Sequence, residues 1–130
     1  APQPQRGSER VLLVDDHPAA RAAVAGMLRS LGYTVIEAAD IAEAERLAKN
    51  EGPALDLLLS DVVLPDGKGP QLAHRVAPVC TNAAVIYISG YTANAIASQG
   101  ELADGVHFLS KPFTREELAA KIRSVLAQRK

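Results

Sequence analysis

Cys80 is the only cysteine among 130 residues. No disulfide can form within the chain, and a cysteine-based zinc site is excluded. That usage fits a reducing compartment. No apolar run approaches the roughly 20 residues needed to span a bilayer, and no secretory signal pattern opens the sequence. Neither sign of charge dominates: the formal net charge is −1. A broad basic field that would draw the chain to nucleic acid or to an anionic membrane is therefore missing. There is no GxxxxGK(S/T) and no GxGxxG after the first apolar run, which disfavours nucleotide binding.

What is present suits one globular domain. Apolar residues make up 48% and charged residues 22% of the chain, a globular balance, and the length allows a core without disulfides or structural metal. The opening APQPQRGSER is polar and rich in Pro and Gln, so residues 1–9 read as a linker or flexible lead-in and 10–128 as the folded unit. The sequence starts on Ala1 rather than Met, as expected of a processed chain or a piece of a longer protein.

From Arg10 onward two patterns alternate. Apolar runs of strand length stand at VLLV (11–14), TVIEA (34–38), LDLLLS (55–60), AVIYI (84–88) and VHFL (106–109). Between them lie stretches of helical spacing. Val24, Met27, Leu28 and Leu31 recur at i, i+3, i+4, i+7, with Pro18 near the start and Gly32 just past the end. Asp40 caps a second helix with Glu43 three residues on. A short third helix is expected over 69–77 and a fourth over 92–98. In the fifth, Thr114 caps, Glu117 closes the box, and Leu118, Ile122, Val125 and Leu126 form the buried stripe. Five βα units argue for a doubly wound α/β fold with a parallel sheet and helices on both faces. VLLV and LDLLLS read as strands covered on both sides, and TVIEA as an edge strand.

Each strand is followed by polar residues. Asp15 and Asp16 follow the first, Asp61 the third, Ser89 the fourth, and Ser110 and Lys111 the fifth. In an open parallel sheet the ligand site lies outside the carboxyl ends of the strands, so these residues converge on one edge. Three carboxylates there repel one another unless a cation joins them. Oxygen ligands with nearby backbone carbonyls suit Mg2+ better than zinc. A divalent cation, an ammonium and a hydroxyl together suit a phosphoryl group, whose equatorial oxygens carry growing charge during transfer. One carboxylate can act as nucleophile and form an aspartyl-phosphate. Asp61 is the choice, because it lies on the most buried central strand and is followed by the turn VVLPDGKG.

The pieces VLLVDDHP, LLLSDVVLPDGKG, YISGYT and FLSKPF occur in this order, and over about residues 10–128 the chain resembles the receiver domain of two-component response regulators. The resemblance implies a flavodoxin-like (βα)5 fold, a five-stranded parallel sheet of order 2-1-3-4-5. It implies that Asp61 is the phospho-acceptor. Asp16, Asp61 and the Val63 backbone carbonyl would ligate Mg2+, or Mn2+ in its place, and Asp15 would act through a metal-bound water. Lys111 would pair with a phosphoryl oxygen, and Ser89 and Phe108 would act as the switch pair. The Lys111–Pro112 bond is expected to be cis, placing Pro112 in a tight turn. Val63 and Tyr91 stand two residues after Asp61 and Ser89, where the family tunes the lifetime of the phosphoryl group. An apolar Val63 cannot hold an attacking water and the Tyr91 ring can shield the site, so slow self-dephosphorylation is expected.

The expected partner is a histidine kinase or a histidine phosphotransfer domain, with no nucleic acid and no membrane contact. The output is expected on the face of the fourth helix, fifth strand and fifth helix, through which a homodimer could form. A cytoplasmic setting follows, with a membrane-attached parent if the domain is the C-terminal receiver of a hybrid sensor kinase. The linker-like start and the end soon after the fifth helix favour that parent over a stand-alone regulator or a transcription factor.

Plainer readings stand beside these. Asp15 and Asp16 could cap a helix, Ser89 could open a turn, and Lys111 could be a surface lysine. His17 reads as an exposed residue near the mouth of the site, His74 as a solvated helix residue and His107 as an edge-strand residue, rather than as ligands. Cys80 reads as a small packed residue, Asp56 as the entry to a strand, and Phe108 as core if not a switch. An Asp-nucleophile phosphatase would need an acid two residues after Asp61 to protonate the leaving group, and Val63 stands there. A pseudo-receiver used only for protein binding is the alternative, though it need not keep the acidic residues.

Overall fold

The computed structural model describes residues 8–89, 107–110 and 113–128, and for Ser89 the backbone alone. The expected helix over 92–98, together with Gly90, Tyr91, Lys111 and Pro112, lies outside the described residues.

Five strands form one sheet: β1 (Arg10–Val14), β2 (Thr34–Ala38), β3 (Leu57–Asp61), β6 (Ala84–Ser89) and β7 (His107–Ser110). Every neighbouring pair is parallel and the order is β2-β1-β3-β6-β7. Apart from a short antiparallel ribbon of β4 (Val63–Leu64) and β5 (Gly67–Lys68), this is the expected 2-1-3-4-5 arrangement. β2 lies at an edge, as its alternation requires, and β3 lies in the middle with all five residues buried. The doubly wound, flavodoxin-like fold is thus the fold observed.

The pleat sends alternate side chains to opposite faces, and two cores result. Val11, Leu13, Leu57 and Leu59 join Val24, Ala25 and Leu28 of α1 (Pro18–Ser30) and the stripe of α4 (Arg115–Gln128). Leu12, Val14 and Leu58 face Ala44 and Ala48 of α2 (Ile41–Glu51) and Leu72 and Val76 of α3 (Gly69–Val76). Burying each of the three β3 leucines fully contributes roughly 1.5–3 kcal/mol. That is why the strand needs no polar face.

Local signals set the helix ends. Pro18 occupies the first turn of α1, and Gly32 beyond its end has φ 99°, a conformation that favours glycine. Leu118, Ile122, Val125 and Leu126 are buried as expected. The α4 box closes fully: Thr114 Oγ1 accepts the Glu117 amide at 3.0 Å and Glu117 Oε1 accepts the Thr114 amide at 2.8 Å. In α2, Asp40 accepts the Glu43 amide at 2.8 Å, but Glu43 accepts from Ala39 rather than from Asp40.

Three expectations shift. Met27 lies on the rim of the α1 stripe and is only partly buried, while Ala25 takes a place inside. β3 begins at Leu57, not Leu55, because a 3-10 turn over Gly52–Ala54 delivers the chain and Asp56 is used for pairing. The Asp56 carboxylate accepts the Arg10 amide at 2.9 Å, fixing the start of β1. Finally, Ser89 and Ser110 are the last residues of their strands rather than residues after them.

Candidate functional site at the carboxyl ends of the strands

β1 and β3 are neighbours in register, with Val14 opposite Ser60, so Asp15 and Asp61 emerge side by side at the top of the sheet. Asp15 is wholly buried and Asp61 is 8% exposed, while the Asp16 side chain is 32% exposed. One oxygen from each of these carboxylates and one nitrogen of His17 all lie within 4.8 Å of one another. The three acids expected to meet do meet. His17, set aside at the level of sequence, joins them: its Nδ1 stands 3.2 Å from Asp16 Oδ1 and 3.6 Å from Asp15 Oδ1.

Backbone contacts hold the cluster. The Asp15 amide donates to the Ala38 carbonyl at 3.0 Å, and Asp15 Oδ1 accepts the His17 amide at 2.9 Å. Arg21 donates to the Asp15 carbonyl at 2.9 Å and pairs with Glu37 on β2. Beyond Asp61, the Val62 amide continues the ladder to the Ile88 carbonyl at 3.1 Å, and Val62 accepts the Gly69 amide at 2.7 Å. Gly69 therefore lies against the end of β3. A Cβ there would stand 2.5 Å from the Asp61 carbonyl oxygen.

The turn after Asp61 folds as the β4–β5 ribbon. Val63 in that ribbon is 59% exposed. Asp66 reaches across to the first turn of α2, accepting the Ile41 amide at 2.9 Å and the Ala42 amide at 3.1 Å. Those amide donors, the Ile41 amide first, hold the Asp66 carboxyl below the usual carboxylate value. This cap comes from a residue 25 positions away, which no local pattern could reveal.

Of the remaining expected residues, Ser89 lies opposite Ser110 in the β6–β7 register. Phe108 is partly buried, its ring centroid 6.2 Å from that of the buried Tyr87. His74 is exposed, and the His107 imidazole is held below its usual value by burial and by Lys121. Cys80 is packed with its thiol 3.3 Å from the Ala48 carbonyl, and burial pushes the thiol up.

The acidic cluster passes the first test for a divalent cation. Three carboxylate oxygens this close, one of them from a fully buried residue, form a hard donor set.

The profile of the response regulator receiver domain matches residues 11–123. The chain belongs to the response-regulator receiver family. It is 37% identical to the sensor kinase CckA of Brucella abortus (strain 2308), over 92% of this chain but only 13% of that kinase. A solved receiver domain of the hybrid histidine kinase CckA superposes with TM-score 0.77 at 38% identity, covering 90% of this chain and 98% of that one. A CheX–CheY–BeF3–Mg+2 complex from Borrelia burgdorferi superposes with TM-score 0.76 at 28% identity, covering 90% and 88%. The chain is thus a receiver domain of two-component signalling. Such domains are phosphoacceptor switches rather than classical enzymes, and the family binds Mg2+ at its acidic pocket.

Proposed function

We propose that Asp61 accepts a phosphoryl group from the phosphohistidine of a histidine kinase or histidine phosphotransfer domain. The single observation that carries this is the placement of Asp61, at the end of the central strand and within 4.8 Å of Asp15, Asp16 and His17. An Asp61 oxygen attacks phosphorus, the P–N bond to the donor imidazole breaks, and an acyl phosphate forms while the imidazole leaves with the electron pair and takes a proton. Asp16, Asp61 and the Val63 carbonyl would hold the cation directly, and Asp15 would act through a metal-bound water. When bound, the cation offsets negative charge on the attacking carboxylate and the phosphoryl oxygens. Lys111 pairs with a phosphoryl oxygen, and Ser89 moves to bond another.

Ser89 and Phe108 then bias a two-state element on the face that includes β7 and α4. A homodimer or a protein target reads that face. The setting is cytoplasmic, in a longer parent that resembles a hybrid kinase.

The test is intact mass after incubation with acetyl phosphate and Mg2+. One added phosphoryl group is expected, and it should be lost in Asp61→Asn and in EDTA. No adduct under conditions that label a receiver of known activity overturns the reading in favour of a pseudo-receiver.

A further inference from the structure

We propose that His17 is a nitrogen ligand of the Asp15–Asp16–Asp61 cation site, so that the site binds late first-row divalent ions such as Ni2+, Co2+ and Zn2+ more tightly than Mg2+. The inference rests on the cation site of the proposed function and concerns only what the imidazole adds to it.

The local sequence puts the imidazole there. Pro18 restricts the residue before it to extended backbone, and His17 has φ −94° and ψ 110° as the residue that starts α1. Its amide is bound to Asp15 Oδ1, yet its side chain makes no capping hydrogen bond to the helix. The ring is left beside the carboxylates, with Nδ1 3.2 Å from Asp16 Oδ1 and 3.6 Å from Asp15 Oδ1. Two donors bound to one divalent ion at about 2.1 Å stand about 3.0–3.4 Å apart. The Asp16 separation falls in that range, and the Asp15 separation is within a small side-chain adjustment of it.

The chemistry follows from the donor set. Carboxylate oxygens alone serve Mg2+ well, and Mg2+ gains little from an imidazole. Late first-row ions bind imidazole strongly, and affinity rises along the series toward copper. One nitrogen added to three carboxylates therefore raises affinity selectively. The His17 side chain is 75% exposed, so the ring can turn onto an arriving ion without disturbing the core.

The test is calorimetric titration of the full chain with Ni2+ and with Mg2+, in wild type, His17→Ala and His17→Asn. Both variants are expected to weaken Ni2+ by about tenfold or more and Mg2+ by less than about twofold. In parallel, the wild-type protein loaded with Cu2+, the strongest imidazole binder of the series, is examined by electron spin-echo modulation, where a directly bound imidazole shows as nitrogen coupling. Absence of that coupling, or equal weakening of both ions, means that His17 only hydrogen-bonds Asp16, and the proposal fails. The spin-echo arm uses unaltered protein, so it decides the matter even where a variant does not fold. Loss of all metal binding and of acetyl phosphate labelling in wild type would instead defeat the cation site itself.

Discussion

Replacing Gly69 by Ala adds one methyl group where the structure has no room for it. The new Cβ would lie 2.5 Å from the Asp61 carbonyl oxygen, 3.1 Å from Tyr87 Cδ1 and 3.2 Å from Ser60 Oγ. The first neighbour is backbone of the central strand, and the other two belong to buried residues. Overpacking of this kind costs about 1–3 kcal/mol. The same substitution at Gly26, exposed in the middle of α1 with nothing within 4 Å of the added carbon, should stabilise by about 1 kcal/mol through helix propensity. One chemical change thus acts with opposite signs at two positions, which differ by about 2–4 kcal/mol. Urea unfolding measures both, with wild type as reference and the slope checked for constancy. Because α3 must move away from Asp61 to accept the methyl, Gly69→Ala should also weaken Mg2+ binding, and Gly26→Ala should not. A Gly69→Ala protein as stable as wild type would refute the argument from close approach.

Other outcomes are expected. Asp66 has a folded-state pKa below its ordinary value, so it stabilises the fold above that ordinary value and the contribution disappears as pH falls through the lowered one; urea midpoints from neutral to acid pH should show this loss in wild type and not in Asp66→Asn. Thr114→Ala removes the acceptor of the Glu117 amide and should cost about 1 kcal/mol in thermal or urea unfolding. The acyl phosphate on Asp61 should persist for minutes or longer after excess phosphodonor is removed, because Val63 offers no hydrogen bond to an attacking water; decay within seconds in a timed mass measurement would contradict this.

The succession of strands and helices is legible in the sequence because it is written in local periods. The α4 capping box spans four residues, 114–117, and the edge position of β2 follows from its alternation. The three acids are legible for a different reason: a parallel sheet brings every strand's carboxyl end to one side, so Asp15, Asp16 and Asp61 must meet once the strands are assigned. What escapes is what depends on the path of the chain between elements. His17 reads as an exposed residue near the mouth of the site, and the turn made by Asp15 and Pro18 is what brings its ring to 3.2 Å from Asp16. Asp66 reads as part of a Pro–Asp–Gly turn, and its caps on Ile41 and Ala42 need the ribbon of β4 and β5 to exist first. The late start of β3 has the same origin. Leu55 and Asp56 look like the beginning of an apolar strand, yet Asp56 is committed to the Arg10 amide.

β3 contributes Leu57 and Leu59 to one core and Leu58 to the other. It is a party wall, and Asp61 is its last brick. A single-residue deletion within residues 57–60 would exchange the two sets of side chains and turn Asp61 away from Asp15 at the same stroke. A change of length at the end of a helix or in a turn can be absorbed. Over evolution the reading frame of this strand is therefore expected to be fixed more tightly than the identities of its three leucines, since Leu, Ile and Val can trade places here but an inserted or missing residue cannot.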